Sequence, residues 1–134
     1  MNLTGLNHVT LRCRPSDLPA LSRFYGEVLG MRAGWRPPFP FDGLWMYPAQ
    51  GEVAAIHIAA TLRDDAPLPA AAAPGGMGFD HVSLTCTGLA HGKARLDAAG
   101  VAYQQVPVPG ADIMQLFLTD PVGMKVELTY VGER

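Results

Sequence analysis

Apolar and polar positions alternate one by one along Leu6–Cys13. Val9, Leu11 and Cys13 fall on one side; His8, Thr10 and Arg12 fall on the other. A period of two predicts a strand with one apolar face. After the break at Arg14-Pro15-Ser16-Asp17 the period lengthens. Leu18, Leu21, Phe24, Tyr25, Val28 and Leu29 recur at helical spacing, with Ser16 or Asp17 as the cap, Pro19 in the first turn and Gly30 as the stop. Strands are predicted at Met31–Trp35, Leu44–Tyr47 and Glu52–Ala60, the last two hinged at Pro48-Ala49-Gln50-Gly51. The segment Arg36-Pro37-Pro38-Phe39-Pro40-Phe41-Asp42-Gly43 has three prolines in eight residues, which excludes regular structure. Its two phenylalanines leave two readings open: an ordinary packed loop, or a loop folded over something apolar.

The same order of patterns then returns. Phe79–Cys86 alternates like Leu6–Cys13, with His81 standing where His8 stood, 73 residues on. Leu89–Ala99 reads as a helix stopped by Gly100. Ala102–Val106, Ile113–Thr119 and Met124–Val131 read as strands, the last entered through the turn Asp120-Pro121-Val122-Gly123. Gly30 and Gly100 are 70 residues apart, as are Ile56-His57-Ile58 and Val126-Glu127-Leu128. Several matches in one order describe a unit written twice. The expected class is therefore α+β, with strand, helix and three strands in each copy. The expected modules are 1–63 and 79–134, joined by a linker at 64–78 rich in alanine, proline and glycine.

Composition narrows the class further. The chain has 134 residues, 49% apolar and 16% charged, which is globular and of single-domain size. A net charge of -2 gives no electrostatic reason to expect nucleic acid or an anionic membrane as partner. Two cysteines suggest no disulfide framework, and a reducing cytoplasm is the expected location. No basic-then-apolar leader and no apolar run of about 18 residues is present, so no membrane span is expected.

The repeat carries a prediction about chemistry. In a two-fold arrangement His8 pairs with His81, and His57 with Glu127. His57 and Glu127 are flanked by apolar residues and His8 and His81 each precede a valine, so each is expected to project from the face opposite the helix. A lone histidine in a strand is ordinarily a hydrogen-bonded core or surface residue. Here three of the four histidines fall at repeat-related positions, and only His91 does not. Three imidazoles and one carboxylate aimed at a common point suit a divalent first-row ion: Zn, Ni, Co, Mn or Fe. The lack of a thiolate among them disfavours a structural zinc. Cys13 and Cys86 also match in the repeat, but face away from the histidines and read as small core residues. Trp45, Tyr47, Gln115 and Phe117 lie on strands suited to lining a cleft.

Four stretches carry a family resemblance: Leu6-Asn7-His8-Val9, Phe24–Met31, Phe79-Asp80-His81-Val82 and Phe117–Leu128. With them the whole chain resembles the vicinal oxygen chelate superfamily, which includes glyoxalase I, extradiol dioxygenases and bleomycin-resistance proteins. The resemblance implies that each module curls into a half-barrel of curved mixed sheet with its helix outside. It implies a metal held between modules by His8, His81 and Glu127, with His57 at the fourth ligand position. Glyoxalase I has glutamate at that fourth position, so His57 is a departure, able to serve as ligand or base. Arg12, four residues after His8, is implied as an anchor for a substrate carboxylate.

The activity so implied is that of a glyoxalase I-like lyase or isomerase. Its substrate would be a small oxygen-chelating molecule, a hemithioacetal or α-hydroxycarbonyl compound, with His57 and Glu127 in proton transfer. The alternative is an Fe(II) extradiol dioxygenase, against which stand Phe117 at the tyrosine position and the lack of a histidine between His91 and Glu127. A further alternative is a non-catalytic binder; such relatives lack the metal ligands. The resemblance also implies a homodimer.

Overall fold

The computed structural model describes residues 6–67 and 81–133. The chain divides into two compact units between Pro67 and Leu68, inside the segment expected to be a linker. Residues 68–78 of that segment, and Phe79 and Asp80 of the predicted strand, lie outside the described residues.

In the first unit β1 (Val9–Arg12) leads into a helical run, followed by β2 (Arg32–Ala33), β3 (Gly43–Tyr47) and β4 (Ile56–Ala59). The sheet order is β1-β4-β3-β2, with β1 parallel to β4 and the other pairs antiparallel. Leu11, Met46, Ile56 and Ile58 are buried together with Leu21, Phe24 and Tyr25 of the helical run. This is the apolar face that the alternation predicts, and burying it against a helix is what stabilises the unit. The opposite face carries Thr10, Arg12, Trp45, Tyr47 and His57, by the alternation of side chains along each strand.

The helical run differs from the α-helix expected. It begins as a 3₁₀ turn at Pro15–Asp17, is α-helical only over Leu18–Ser22 (α1), and is a π-helix over Arg23–Val28. The backbone N–H of Leu29 donates to the Phe24 carbonyl, five residues back. The wider turn lets the adjacent rings of Phe24 and Tyr25 both point inward, packed edge to face at 5.1 Å. Asp17 stands at the N-cap position of α1 but makes no side-chain cap bond to it. Its carboxylate reaches back to the Arg14 backbone N–H at 3.0 Å and pairs with the Arg14 guanidinium at 2.7 Å.

The strands are shorter than the pattern predicts. β1 starts after His8; β2 holds two residues; β4 omits 52–55. Pairing limits each one: β2 is an edge strand bonded only to β3, and the prolines at 37, 38 and 40 end it.

The second unit repeats the plan with β5 (Val82–Cys86), α2 (Leu89–Ala98), β6 (Tyr103–Pro107), β7 (Ile113–Thr119) and β8 (Lys125–Val131), in the sheet order β5-β8-β7-β6. β5 and β8 are parallel, as β1 and β4 are. Both modules are thus βαβββ, as expected. The repeat extends to helix ends: Gly30 at φ 76° and Gly100 at φ 66° adopt the left-handed conformation that stops each helix. Cys13 is fully buried, but Cys86 is only half-buried, so just one of the two is a true core residue. Among the described residues no helix is long and apolar enough to cross a membrane.

Candidate metal-ligand pairs on the two sheets

Register fixes the equivalence of His57 and Glu127. Thr10, two residues after His8, is level with His57 across the β1–β4 pair. Ser83, two residues after His81, is level with Glu127 across the β5–β8 pair. On the other side of each, β3 sets Trp45 level with His57 and β7 sets Phe117 level with Glu127. Each unit therefore presents one pair: His8 with His57, and His81 with Glu127.

In the second unit the pair is polar. Glu127 is buried at 5% exposure, and its Oε2 stands 3.1 Å from His81 Nε2. Its Oε1 accepts from Ser83 Oγ at 2.8 Å, from Gln115 Nε2 at 2.9 Å and from Thr129 Oγ1. Burial pushes the Glu127 carboxyl up, but hydrogen bonds from Thr129, Ser83 and Gln115, with the charge of His81, outweigh it and hold the carboxyl below its ordinary value. Phe117 packs edge-on against His81 at 5.6 Å, and the Lys125 ammonium lies 5.5 Å from the Phe117 ring.

In the first unit the pair is aromatic. The rings of His8 and His57 stack at 3.8 Å, and Trp45 stacks on the other face of His57 at 3.9 Å, only 7° from parallel. His8 Nδ1 donates to Asn7 Oδ1 at 2.7 Å, which places the lone pair on Nε2. Burial lowers the His57 pKa, the neighbouring His8 lowers it further, and a hydrogen bond with the Ala54 backbone opposes both. His57 is therefore held neutral, with a lone pair to offer.

The donor chemistry fits a divalent ion. Two ligand atoms each about 2.1 Å from one ion, at right angles, lie about 3 Å apart. His81 Nε2 and Glu127 Oε2 already keep that separation. His8 and His57 supply imidazole nitrogens, but in the stacked arrangement their lone pairs lie in nearly parallel planes, 18° apart, that do not converge on one ion. Binding of one ion by both requires the stack to open. Within either unit, among the described residues, no group of three or more His, Cys, Asp or Glu side chains could hold a metal ion. Each unit contributes two candidate ligands and no third.

Arg12 is exposed on the same face as His57, its Nε bonded to Thr61 Oγ1 at 3.0 Å. Gln115 and Phe117 share the sheet face of Glu127. Trp45 and Tyr47 share the face of His57, and Tyr47 donates its hydroxyl to the Trp35 carbonyl at 2.8 Å. His91 is exposed on α2, apart from either pair. Sequence reasoning missed Ser83 and Thr129, the hydroxyls that hold Glu127. Their positions were readable: each is two residues from a predicted ligand on the same strand.

A family model for the glyoxalase/bleomycin resistance protein/dioxygenase superfamily matches residues 5–128. Glyoxylase I 4 of Arabidopsis thaliana is 31% identical over 132 residues, which span 96% of this chain and 71% of that protein. Among solved structures, a glyoxalase family protein from Bacillus anthracis superposes with a TM-score of 0.74 at 21% identity, over 98% of both chains. Lactoylglutathione lyase from Agrobacterium tumefaciens superposes with a TM-score of 0.65 at 20% identity, over 97% of this chain and 96% of that one. The chain belongs to the glyoxalase/bleomycin resistance protein/dioxygenase superfamily.

Proposed function

We propose that the protein is a divalent-metal-dependent lyase or isomerase of the glyoxalase I type, acting on a small hemithioacetal or α-hydroxycarbonyl substrate. The observation that carries this reading is the 3.1 Å approach of His81 Nε2 to Glu127 Oε2, at the positions the repeat makes equivalent to Thr10's neighbours His8 and His57. The kinship with Glyoxylase I 4 supports the reaction class. His8, His81, Glu127 and His57 are the proposed ligands of one ion, Zn, Ni, Co, Mn or Fe. The reading requires the two pairs to meet on that ion, in one chain or across a homodimer.

The ion, when bound, supplies a Lewis acid that stabilises negative charge developing on a substrate oxygen. The chain's own groups do the rest. His57, kept neutral by burial and by His8, has one lone pair, which serves either as the fourth ligand or, off the ion, as the base that takes a proton. Glu127 is kept ionised by its three hydrogen-bond donors and is the second candidate for moving a proton. Arg12, exposed on the face of β1 that His57 shares across the β1–β4 pair, is the proposed anchor for a substrate carboxylate.

Elemental analysis of protein purified without chelator tests the ligand set. About one ion per site is expected in the wild type and a large loss in His81→Ala, with the circular dichroism spectrum retained. Unchanged metal content in the folded variant would refute the assignment. Glutathione hemithioacetal turnover without oxygen supports the lyase reading; oxygen uptake with catechols supports a dioxygenase instead.

A further inference from the structure

The loop between β2 and β3 builds an aromatic platform beside His57. Trp35 meets Trp45 edge to face at 6.0 Å, and Phe39 lies 6.4 Å from the same indole. Phe39 stacks on Phe41 at 5.2 Å, and the Arg36 guanidinium sits 5.2 Å from both phenyl rings. The same guanidinium donates to the Phe41 carbonyl, which ties the loop back on itself. The segment is therefore held in shape, although its outermost rings face water: Trp35 is 72% exposed and Phe39 43%.

Two exposed rings on a braced loop cost solvation and add little to the core. Their placement explains them better. They are continuous, through Trp45, with the ring stack that ends in His57 and His8. The ring contacts run without a break from His8 and His57 through Trp45 to Trp35 and Phe39, so a molecule with its oxygens near those imidazoles has these rings within reach. Ring pairs at such spacings prefer edge or offset contact with another π-system.

We propose that this loop is a substrate subsite for a planar aromatic or conjugated group attached to the oxygen-chelating part of the substrate. Only the chelating part rests on the proposed metal function; the ring subsite stands on unit-one geometry alone. It selects aryl substrates over small aliphatic ones such as those carrying a methyl group.

Trp35 and Trp45 are the chain's two tryptophans, so tryptophan emission, excited where tyrosine does not absorb, reports on this site alone. The probe is 1-hydroxy-2-naphthoate, planar and with two neighbouring oxygens; lactate, which has the oxygens and no ring, is the control. Quenching by the naphthoate and none by lactate is expected in the EDTA-treated full chain. Trp35→Ala and Phe39→Ala should each weaken naphthoate binding about tenfold, since both residues are too exposed for the changes to unfold the chain. An unchanged dissociation constant in both variants overturns the proposal. So does a wild-type dimer that becomes monomeric in both variants without binding the naphthoate, which makes the rings a surface for a second copy. Adding metal separates the two readings. Tighter naphthoate binding with metal supports both, whereas ring-dependent binding that ignores metal keeps the subsite and counts against the metal function.

Discussion

His57 and Glu127 occupy the same register position in two copies of one module, yet the two sheets hold them by opposite means. His57 lies between rings, with Gly43 and Ala59 level with each other next to it. The matching positions around Glu127 are Gln115 and Thr129, and both bond to its carboxylate. The physical reason is the cost of desolvation. A neutral imidazole is buried cheaply against flat apolar surfaces, whereas a carboxylate needs donors to replace water. Both groups end up below their ordinary pKa, through different causes. Burial disfavours the cation of His57, and hydrogen bonds favour the anion of Glu127. One module can therefore keep either residue type in its deprotonated, metal-competent form.

The hardest blow to this comparison is Glu127→Ala. It removes the anion and leaves Gln115 without its partner inside the sheet, for a loss of about 1–3 kcal/mol in urea unfolding. It should also abolish metal retention. The His8–His57 ring stack, a separate unit's property, should survive, as read from the histidine ring signals in NMR.

Trp45→Leu is the matching test in the first unit. Half-buried as it is, losing the indole should cost about 2 kcal/mol, and Trp45→Phe under about 1. With the leucine the His57 pKa should rise toward its ordinary 6.5, measured by NMR titration of the ring. No rise would mean that the indole is not what desolvates His57.

Ser83→Ala is the mildest change, about 1 kcal/mol for one hydrogen bond. Its value lies in the pH dependence. A carboxyl held below its ordinary 4.5 adds stability above that pH, and the gain is lost as pH falls through the lowered value. With one donor removed the loss should set in at higher pH. His57 acts in the same direction over a higher window: its contribution is present above 6.5 and fades as pH drops below it. Acid unfolding curves of the wild type and Ser83→Ala, compared above and below pH 4.5, distinguish the two groups.

Much of this was legible before any coordinates. The doubled alternation around His8 and His81, and the matched Gly30 and Gly100, sufficed for the two βαβββ modules. The pattern placed Trp45, Tyr47, Gln115 and Phe117 on strands, but the face each takes was decided only by the strand register. The helix's π turn did not follow, because side-chain spacing does not distinguish an α turn from one residue more. Nor did the shortness of β2 and β4, since a strand extends only as far as a neighbour accepts its hydrogen bonds.

Periodicity is a local property, and local sequence was enough to say which way the side chains of β1 face. The partners of each candidate ligand are not local: Ser83 reaches Glu127 across 44 residues, and Trp45 and His57 sit on different strands brought level by pairing. Whether an ionisable group meets a ring or a donor depends on register, which is settled only when the strands pair. That is why the candidate ligands could be named from the chain, while what keeps each of them deprotonated could be found only in the folded sheets.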